Sequence, residues 1–269
     1  MSDYYHVVEA YYDDDAPDFD ARYWKNPVLQ RIRQDFREEV KRYPASDVLE
    51  IGYGTGLDLV HFAETHPSVT FTGIDISGQM QAVASQKIQK AGLKNASASK
   101  GSVEDLTSLY PNRRFDMVYV FFGALNTVED LKTAAVCIND VTAPGGKLVL
   151  TFVNKNYVAG MLLELMKFRF RASFSRFRKE WGGYSPSEYL PSRCYTPKQI
   201  RKALSPFVPL KQKGYSILHP AWYYHRLNNM LHKILPALWK TDAMLNKSPF
   251  WSWGEYTLFV FEKPQKVGK

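Results

Sequence analysis

The stretch that most constrains this chain is Asp47-Val48-Leu49-Glu50-Ile51-Gly52-Tyr53-Gly54-Thr55-Gly56. Val48, Leu49 and Ile51 give the apolar run of a parallel strand buried on both faces. Glycines at three alternate positions, Gly52, Gly54 and Gly56, then let the backbone turn tightly and approach a ligand closely. Leu57 to Glu64 follows as a helix, with Leu57, Val60, Phe62 and Ala63 at its apolar positions. A strand, a glycine turn and a helix in that order suggest a nucleotide-type site at the carboxyl end of a strand.

Spacing narrows the ligand. A dinucleotide fingerprint needs glycine at the first, third and sixth positions, which here are Gly52, Gly54 and Leu57, so the last requirement fails. No Gly-Lys-Ser/Thr triplet follows, which removes a Walker loop. What is left is Glu-x-Gly-x-Gly-x-Gly, with an acidic residue, Asp75, closing a second apolar strand in Thr72-Gly73-Ile74-Asp75-Ile76-Ser77. A carboxylate in that place can accept hydrogen bonds from both hydroxyls of a ribose.

Four blocks in register over roughly residues 40–153 carry a family resemblance. They are Val48–Gly56, Gly73–Ser77 with Met80, Phe115-Asp116-Met117-Val118, and Ala143-Pro144-Gly145-Gly146-Lys147-Leu148. In these the chain resembles the class I S-adenosylmethionine (SAM) dependent methyltransferases. The resemblance implies that SAM is the cofactor and that Glu50 helps anchor its methionine ammonium, directly or through water. It also implies that Gly52, Gly54 and Gly56 lie close to the ligand and that Asp75 holds the ribose. Gly101-Ser102-Val103-Glu104-Asp105-Leu106 stands where the family has Gly-Asp-Ala-Glu-Asp-Leu. There Ser102 and Val103 are the expected adenine contacts, with a hydroxyl replacing the usual carboxylate. Ile76 and Met80 resemble residues that pack on the adenine face, and equally read as ordinary core. Phe121 and Phe122 fall on the loop that in this family separates cofactor from acceptor. Asn126, on the same loop, either orients an acceptor or caps the helix that follows it.

Residues 1–20 hold seven acids and no Lys or Arg, which by itself suggests a solvated acidic tail. Within it, Tyr12-Asp13-Asp14-Asp15-Ala16-Pro17-Asp18-Phe19-Asp20 is similar to the Tyr-Asp-x-x-Ala-x-x-Tyr-Asp lid of small-molecule methyltransferases. That similarity places Tyr12 over the methionine end of SAM. Phe19, which lacks the second hydroxyl, is either a lid residue or plain packing. Trp24 joins Phe19 and Phe122 as a candidate acceptor contact.

Asn26-Pro27 opens a helix over 27–43 with Leu29, Ile32, Phe36 and Val40 as its stripe. From Val48 onwards strands and helices alternate, which argues for an α/β, Rossmann-like doubly wound fold. We expect a mostly parallel seven-stranded sheet, with an antiparallel last strand over Glu255–Lys263 and helical insertions forming a lid. The corresponding organisation is an N-terminal lid and helix (1–45), a SAM-binding core (46–153), a basic amphipathic insertion (154–200), and closing strands (201–269). The last of these carries a second insertion at 219–254.

The net charge of +8 is concentrated in these insertions, with a net +5 between residues 155 and 180 alone. In the first, Val158, Met161, Leu162, Leu165 and Met166 share one helical face. In the second, Leu227, Met230, Leu231, Ile234, Leu235 and Leu238 do, flanked by Arg226, Lys233, Lys240 and Lys247. Basic amphipathic helices of this kind either pack as a substrate lid or meet a membrane surface, and contact with nucleic acid is the weakest reading. His219-Pro220-Ala221-Trp222-Tyr223-Tyr224-His225 is the densest polar-aromatic cluster in the chain. Trp222, Tyr223 and Tyr224 suit an acceptor pocket, while His219 and His225 read either as general bases or as structural histidines.

Cys137 and Cys194 supply neither a disulfide framework nor metal-ligand spacing, so no metal is expected and a reducing cytoplasm fits. No run approaches the roughly 20 apolar residues of a membrane span. The expected reaction is methyl transfer to a small hydrophobic or amphipathic acceptor: a lipid, a quinone-like ring or a natural product. An RNA methyltransferase using the basic insertions, or a SAM-binding scaffold without catalysis, are the alternatives.

Overall fold

The computed structural model describes residues 2–184 and 188–265. Seven strands run β1 (Asp47–Ile51), β2 (Thr70–Asp75), β3 (Ala96–Lys100), β4 (Phe115–Val120), β5 (Thr142–Val153), β6 (Val208–Tyr215) and β7 (Tyr256–Glu262). They form one sheet in the order β3-β2-β1-β4-β5-β7-β6. All pairings are parallel except those of β7, which runs antiparallel to both β5 and β6. The order turns back at β1, between β2 and β4, and that switch point is where an open α/β sheet offers a crevice at its carboxyl edge.

The helices are α1 (Asp3–Trp24), α2 (Pro27–Val40), α3 (Leu57–Thr65), α4 (Gly78–Lys90), α5 (Leu106–Leu109), α6 (Leu131–Val141), α7 (Val158–Met166), α8 (Phe170–Ser173), α9 (Pro197–Ala203), α10 (His225–Met230) and α11 (Leu235–Leu245). The period-two alternation along the central strands divides the core into two layers. Leu49, Val118, Val120 and Leu150 meet α6 and α9 on one face. Val48, Met117, Tyr119 and Val260 meet α2, α3 and α4 on the other. Local signals start these helices where the sequence places them. Asn26 accepts the Leu29 N–H at 3.1 Å ahead of Pro27, and Ser77 accepts the Met80 N–H at 3.0 Å.

The N-terminal segment overturns the reading of a solvated tail. Residues 3–24 form one continuous helix, and its acids are its fasteners. Asp13 accepts the Ser77 hydroxyl at 2.5 Å and the Gln79 N–H at 3.0 Å. Asp20 accepts the Thr55 hydroxyl at 2.5 Å and pairs with Lys87, and Glu9 pairs with Lys100. Tyr5 donates to Glu104 at 2.5 Å. These bonds lay α1 along the carboxyl ends of β1 to β3.

Gly56 shows how closely the glycine turn is built. Its φ is +77°, and a Cβ there would lie 2.9 Å from Ala84 Cβ on α4. Gly56→Ala therefore meets both a left-handed backbone and a steric clash, costing about 1–3 kcal/mol. Thermal unfolding will show a lowered midpoint; an unchanged midpoint would contradict this packing.

Candidate functional site

A cavity of about 730 Å³ opens at the carboxyl edge of the sheet, within the roughly 300–1,000 Å³ of small-molecule sites. Two groups of residues share it. Gly52, Gly54, Asp75, Ile76, Met80, Ser102, Val103 and Phe121 come from the strand ends, and Tyr12 and Phe19 come from α1. Phe122, Trp181, Tyr184, Trp222, Tyr223 and Tyr256 form an aromatic wall drawn from the loop after β4, both insertions and the start of β7.

Asp75 is the fixed point of the first group. Its Oδ2 accepts the Gly54 N–H at 2.8 Å, and its Oδ1 accepts the Ser77 N–H at 3.0 Å. Each oxygen keeps a further lone pair. Burial pushes its pKa up to about 6, against the lowering effect of the backbone N–H groups of Ser77 and Gly54. Gly54 has φ +56°, and the tip of the Phe19 ring sits 3.6 Å from where its Cβ would be. Phe19 is thus seated over the glycine turn. Ser102 donates its hydroxyl to Asp105 at 2.8 Å, so its oxygen is left as an acceptor at the cavity wall. Phe122 has φ +51°, an uncommon conformation for a bulky residue, and ends β4 with its ring against Phe36 and Tyr256. The Arg33 guanidinium lies 4.7 Å from that ring's centroid and 4.5 Å from the Tyr23 ring, while pairing with Asp58.

Several sequence expectations are corrected. Glu50 does not line the cavity, which rules out only a direct contact: it is buried and accepts the Tyr119 hydroxyl at 2.7 Å. Burial and the neighbouring Asp58 hold its pKa well above the usual carboxylate range. Gly56 packs on α4 and does not line the cavity. Asn126 lines the cavity, but its side-chain amide is already engaged and caps no helix. Its amide donates to the Val153 and Arg193 carbonyls and accepts the Val153 N–H at 2.9 Å, while Asp130 caps α6. His219 is buried away from the cavity, with Nδ1 2.7 Å from the Pro220 carbonyl and its ring against Trp239. Burial lowers its pKa, so it is a neutral structural histidine. Trp24 is exposed and Tyr224 bonds Glu164, and neither lines the cavity. His225 does reach the cavity, from an exposed position at its rim.

The structure also adds a network the sequence does not disclose. Arg176 binds both carboxylate oxygens of the fully buried Glu255, at 2.9 and 2.8 Å. Tyr184 donates to Glu255 Oε1 at 2.5 Å and Tyr223 to Oε2 at 3.1 Å. The Tyr184 and Tyr256 hydroxyls are 3.1 Å apart. Since Tyr184 gives its one proton to Glu255, the Tyr256 proton is available to the Tyr184 oxygen or to a group in the cavity. Burial and the Glu255 charge push both phenols up, so both act as donors and not as bases.

Residues 48–146 match the methyltransferase-domain family. A demethylmenaquinone methyltransferase of Geobacillus kaustophilus is 28% identical over 203 residues, 72% of this chain and 80% of the relative. An uncharacterized protein of Methanocaldococcus jannaschii is 26% identical over 218 residues, 79% of this chain and 77% of the relative. The structure of geranyl diphosphate C-methyltransferase from Streptomyces coelicolor, in complex with Mg2+, geranyl diphosphate and S-adenosyl-L-homocysteine, superposes with a TM-score of 0.61. That likeness covers 98% of this chain and 99% of the other at 10% identity, and it speaks for the fold. Residues 48–146 thus carry a methyltransferase domain, and the relatives together with the fold support SAM-dependent methyl transfer.

The residues around Asp75 fit the cofactor. Gly52 and Gly54 permit close backbone approach, Asp75 offers lone pairs to ribose hydroxyls, and Ile76, Met80 and Val103 give an apolar slot beside the Ser102 acceptor. An ionised Asp75 accepts such bonds, whereas protonation removes part of that capacity. Affinity for S-adenosylhomocysteine will therefore fall as pH drops through about 6. Asp75→Asn will weaken binding roughly tenfold or more and flatten this pH dependence. Calorimetric titration from about pH 5 to about pH 8 checks both; a wild-type affinity that does not change with pH would contradict the role given to Asp75.

Proposed function

We propose that this enzyme methylates a small, largely apolar acceptor bearing an oxygen function: a lipid, a quinone-like ring or a related natural product. The observation that carries this reading is the wall opposite the cofactor residues. Trp181, Trp222, Phe122 and Tyr223 offer ring faces, and Tyr256 offers a single hydroxyl donor backed by Tyr184 and Glu255. Mostly apolar walls with a few placed polar groups orient a small hydrophobic molecule. The demethylmenaquinone methyltransferase likeness points to the same acceptor class.

SAM supplies an electrophilic methyl group on a positively charged sulfur. The work left to this chain is to align the acceptor's nucleophilic atom with that methyl group and to exclude water. Tyr12 and Phe19 line the same cavity as Gly54 and Asp75, so α1 closes the reaction space as well as the cofactor site. Tyr256 donates to the acceptor oxygen and fixes its orientation. His225, at the rim, is placed to take up a proton that the acceptor releases.

Two measurements test this reading. Incubation with methyl-labelled SAM, a total lipid extract and total tRNA should put label in the organic phase. Label in tRNA alone, or in neither fraction while S-adenosylhomocysteine binds, would contradict it. With the acceptor in hand, Tyr256→Phe should lower kcat/KM roughly tenfold with cofactor affinity unchanged. An unaffected kcat/KM would remove the hydroxyl from the mechanism.

A further inference from the structure

The first insertion does not bury its apolar face. From the end of α7 into α8 the run Met166-Lys167-Phe168-Arg169-Phe170-Arg171-Ala172 is exposed at every position. Met166 is 76% exposed, Phe168 81% and Phe170 60%, with Leu162, Phe174 and Phe177 also exposed. Such contiguous apolar exposure on a folded domain marks an interaction surface. We propose that this turn docks the protein on an anionic membrane surface.

The backbone of the turn supports a function beyond folding. The Phe168 N–H bonds the Leu165 carbonyl and the Arg169 N–H bonds the Glu164 carbonyl, both at 2.9 Å, around Phe168 at φ +57°. This is the helix-closing geometry that glycine ordinarily serves, because a side chain there is strained. Phenylalanine occupies the place, and its ring gains little folded-state packing in return. Strain retained at an exposed aromatic residue is a reason to look for a partner.

The charge pattern selects that partner. Lys167, Arg169 and Arg171 alternate with the exposed rings, and Arg178 and Lys179 follow. Alternation at adjacent positions lets aromatic rings enter the acyl boundary while long cationic side chains reach lipid phosphates. The patch is also joined to the cavity rim. Tyr224 donates to Glu164 on α7 at 3.3 Å, the Lys167 ammonium lies 4.7 Å from the Tyr224 ring, and the flanking Tyr223 and His225 line the cavity. Uptake of an acceptor from the bilayer rests on the function proposed above, whereas docking itself does not.

The test is sedimentation of the full chain with vesicles of phosphatidylcholine alone or mixed with phosphatidylglycerol, at low and high salt. Wild type should sediment with the anionic vesicles and be released by salt. Phe168→Ser/Phe170→Ser and Arg169→Gln/Arg171→Gln should each lower partitioning roughly tenfold. Both should keep wild-type affinity for S-adenosylhomocysteine, which separates lost docking from lost folding. No sedimentation at low salt, or undiminished sedimentation of the phenylalanine variant, would overturn the proposal. So would filter-bound tRNA that the arginine variant loses, with no vesicle binding by the wild type. Label transfer to lipid extract in detergent reads out independently, so the two proposals fail separately.

Discussion

The carboxylate of Asp75 is the joint on which the catalytic edge depends. Through two backbone N–H groups it locks the glycine turn after β1 to the start of α4. Asp13 then bonds Ser77 and Gln79 at that same helix start, and Asp20 bonds Thr55 on the turn itself. Strand end, turn, helix cap and α1 thus form one hydrogen-bonded unit. Burial raises the Asp75 pKa against the lowering effect of the backbone N–H groups around it. A buried, perturbed carboxylate at a cavity wall is suited to accept hydrogen bonds from ligand hydroxyls.

A second buried charge organises the aromatic wall of the cavity. Arg176 from the first insertion and Tyr223 from the second both converge on Glu255 at the start of β7, and Tyr184 joins them. The two insertions, 47 residues apart at Arg176 and Tyr223, are thereby fastened into one wall. Removing one partner of such a pair strands the other charge in a low-dielectric interior, at a cost of about 3–5 kcal/mol. The network therefore serves two ends. It holds the wall in place and leaves the Tyr256 hydroxyl as a polar point on an aromatic surface.

Sequence and structure agree where the information is local. The apolar run before Gly52, the carboxylate at the end of the next strand and the caps at Asn26 and Ser77 are short-range signals, and the strands and helices lie where those signals put them. The last strand is legible from the alternation in 256–261, and its antiparallel direction from the family resemblance. Helix α1 was harder to read because its acids look like a solvated tail. Yet Tyr5, Val8, Tyr12, Phe19 and Tyr23 fall at helical intervals along one cavity-facing side. His219 misled because a histidine among aromatics can be either a catalyst or core, and only the Pro220 contact decides between them. The Arg176–Glu255–Tyr184 cluster was out of reach, since no local pattern pairs residues 71 or 79 positions apart.

If α1 is an integral wall of the cofactor site, hydrogen exchange of the backbone will show it. Residues 3–24 should exchange measurably faster in the free protein than β1 and β4, because they are held mainly by side-chain bonds at one edge. Saturating S-adenosylhomocysteine should slow their exchange together with that of the glycine turn at 52–56. Binding that protects 52–56 but leaves 3–24 unchanged would contradict the account, placing the cofactor on the sheet edge without α1.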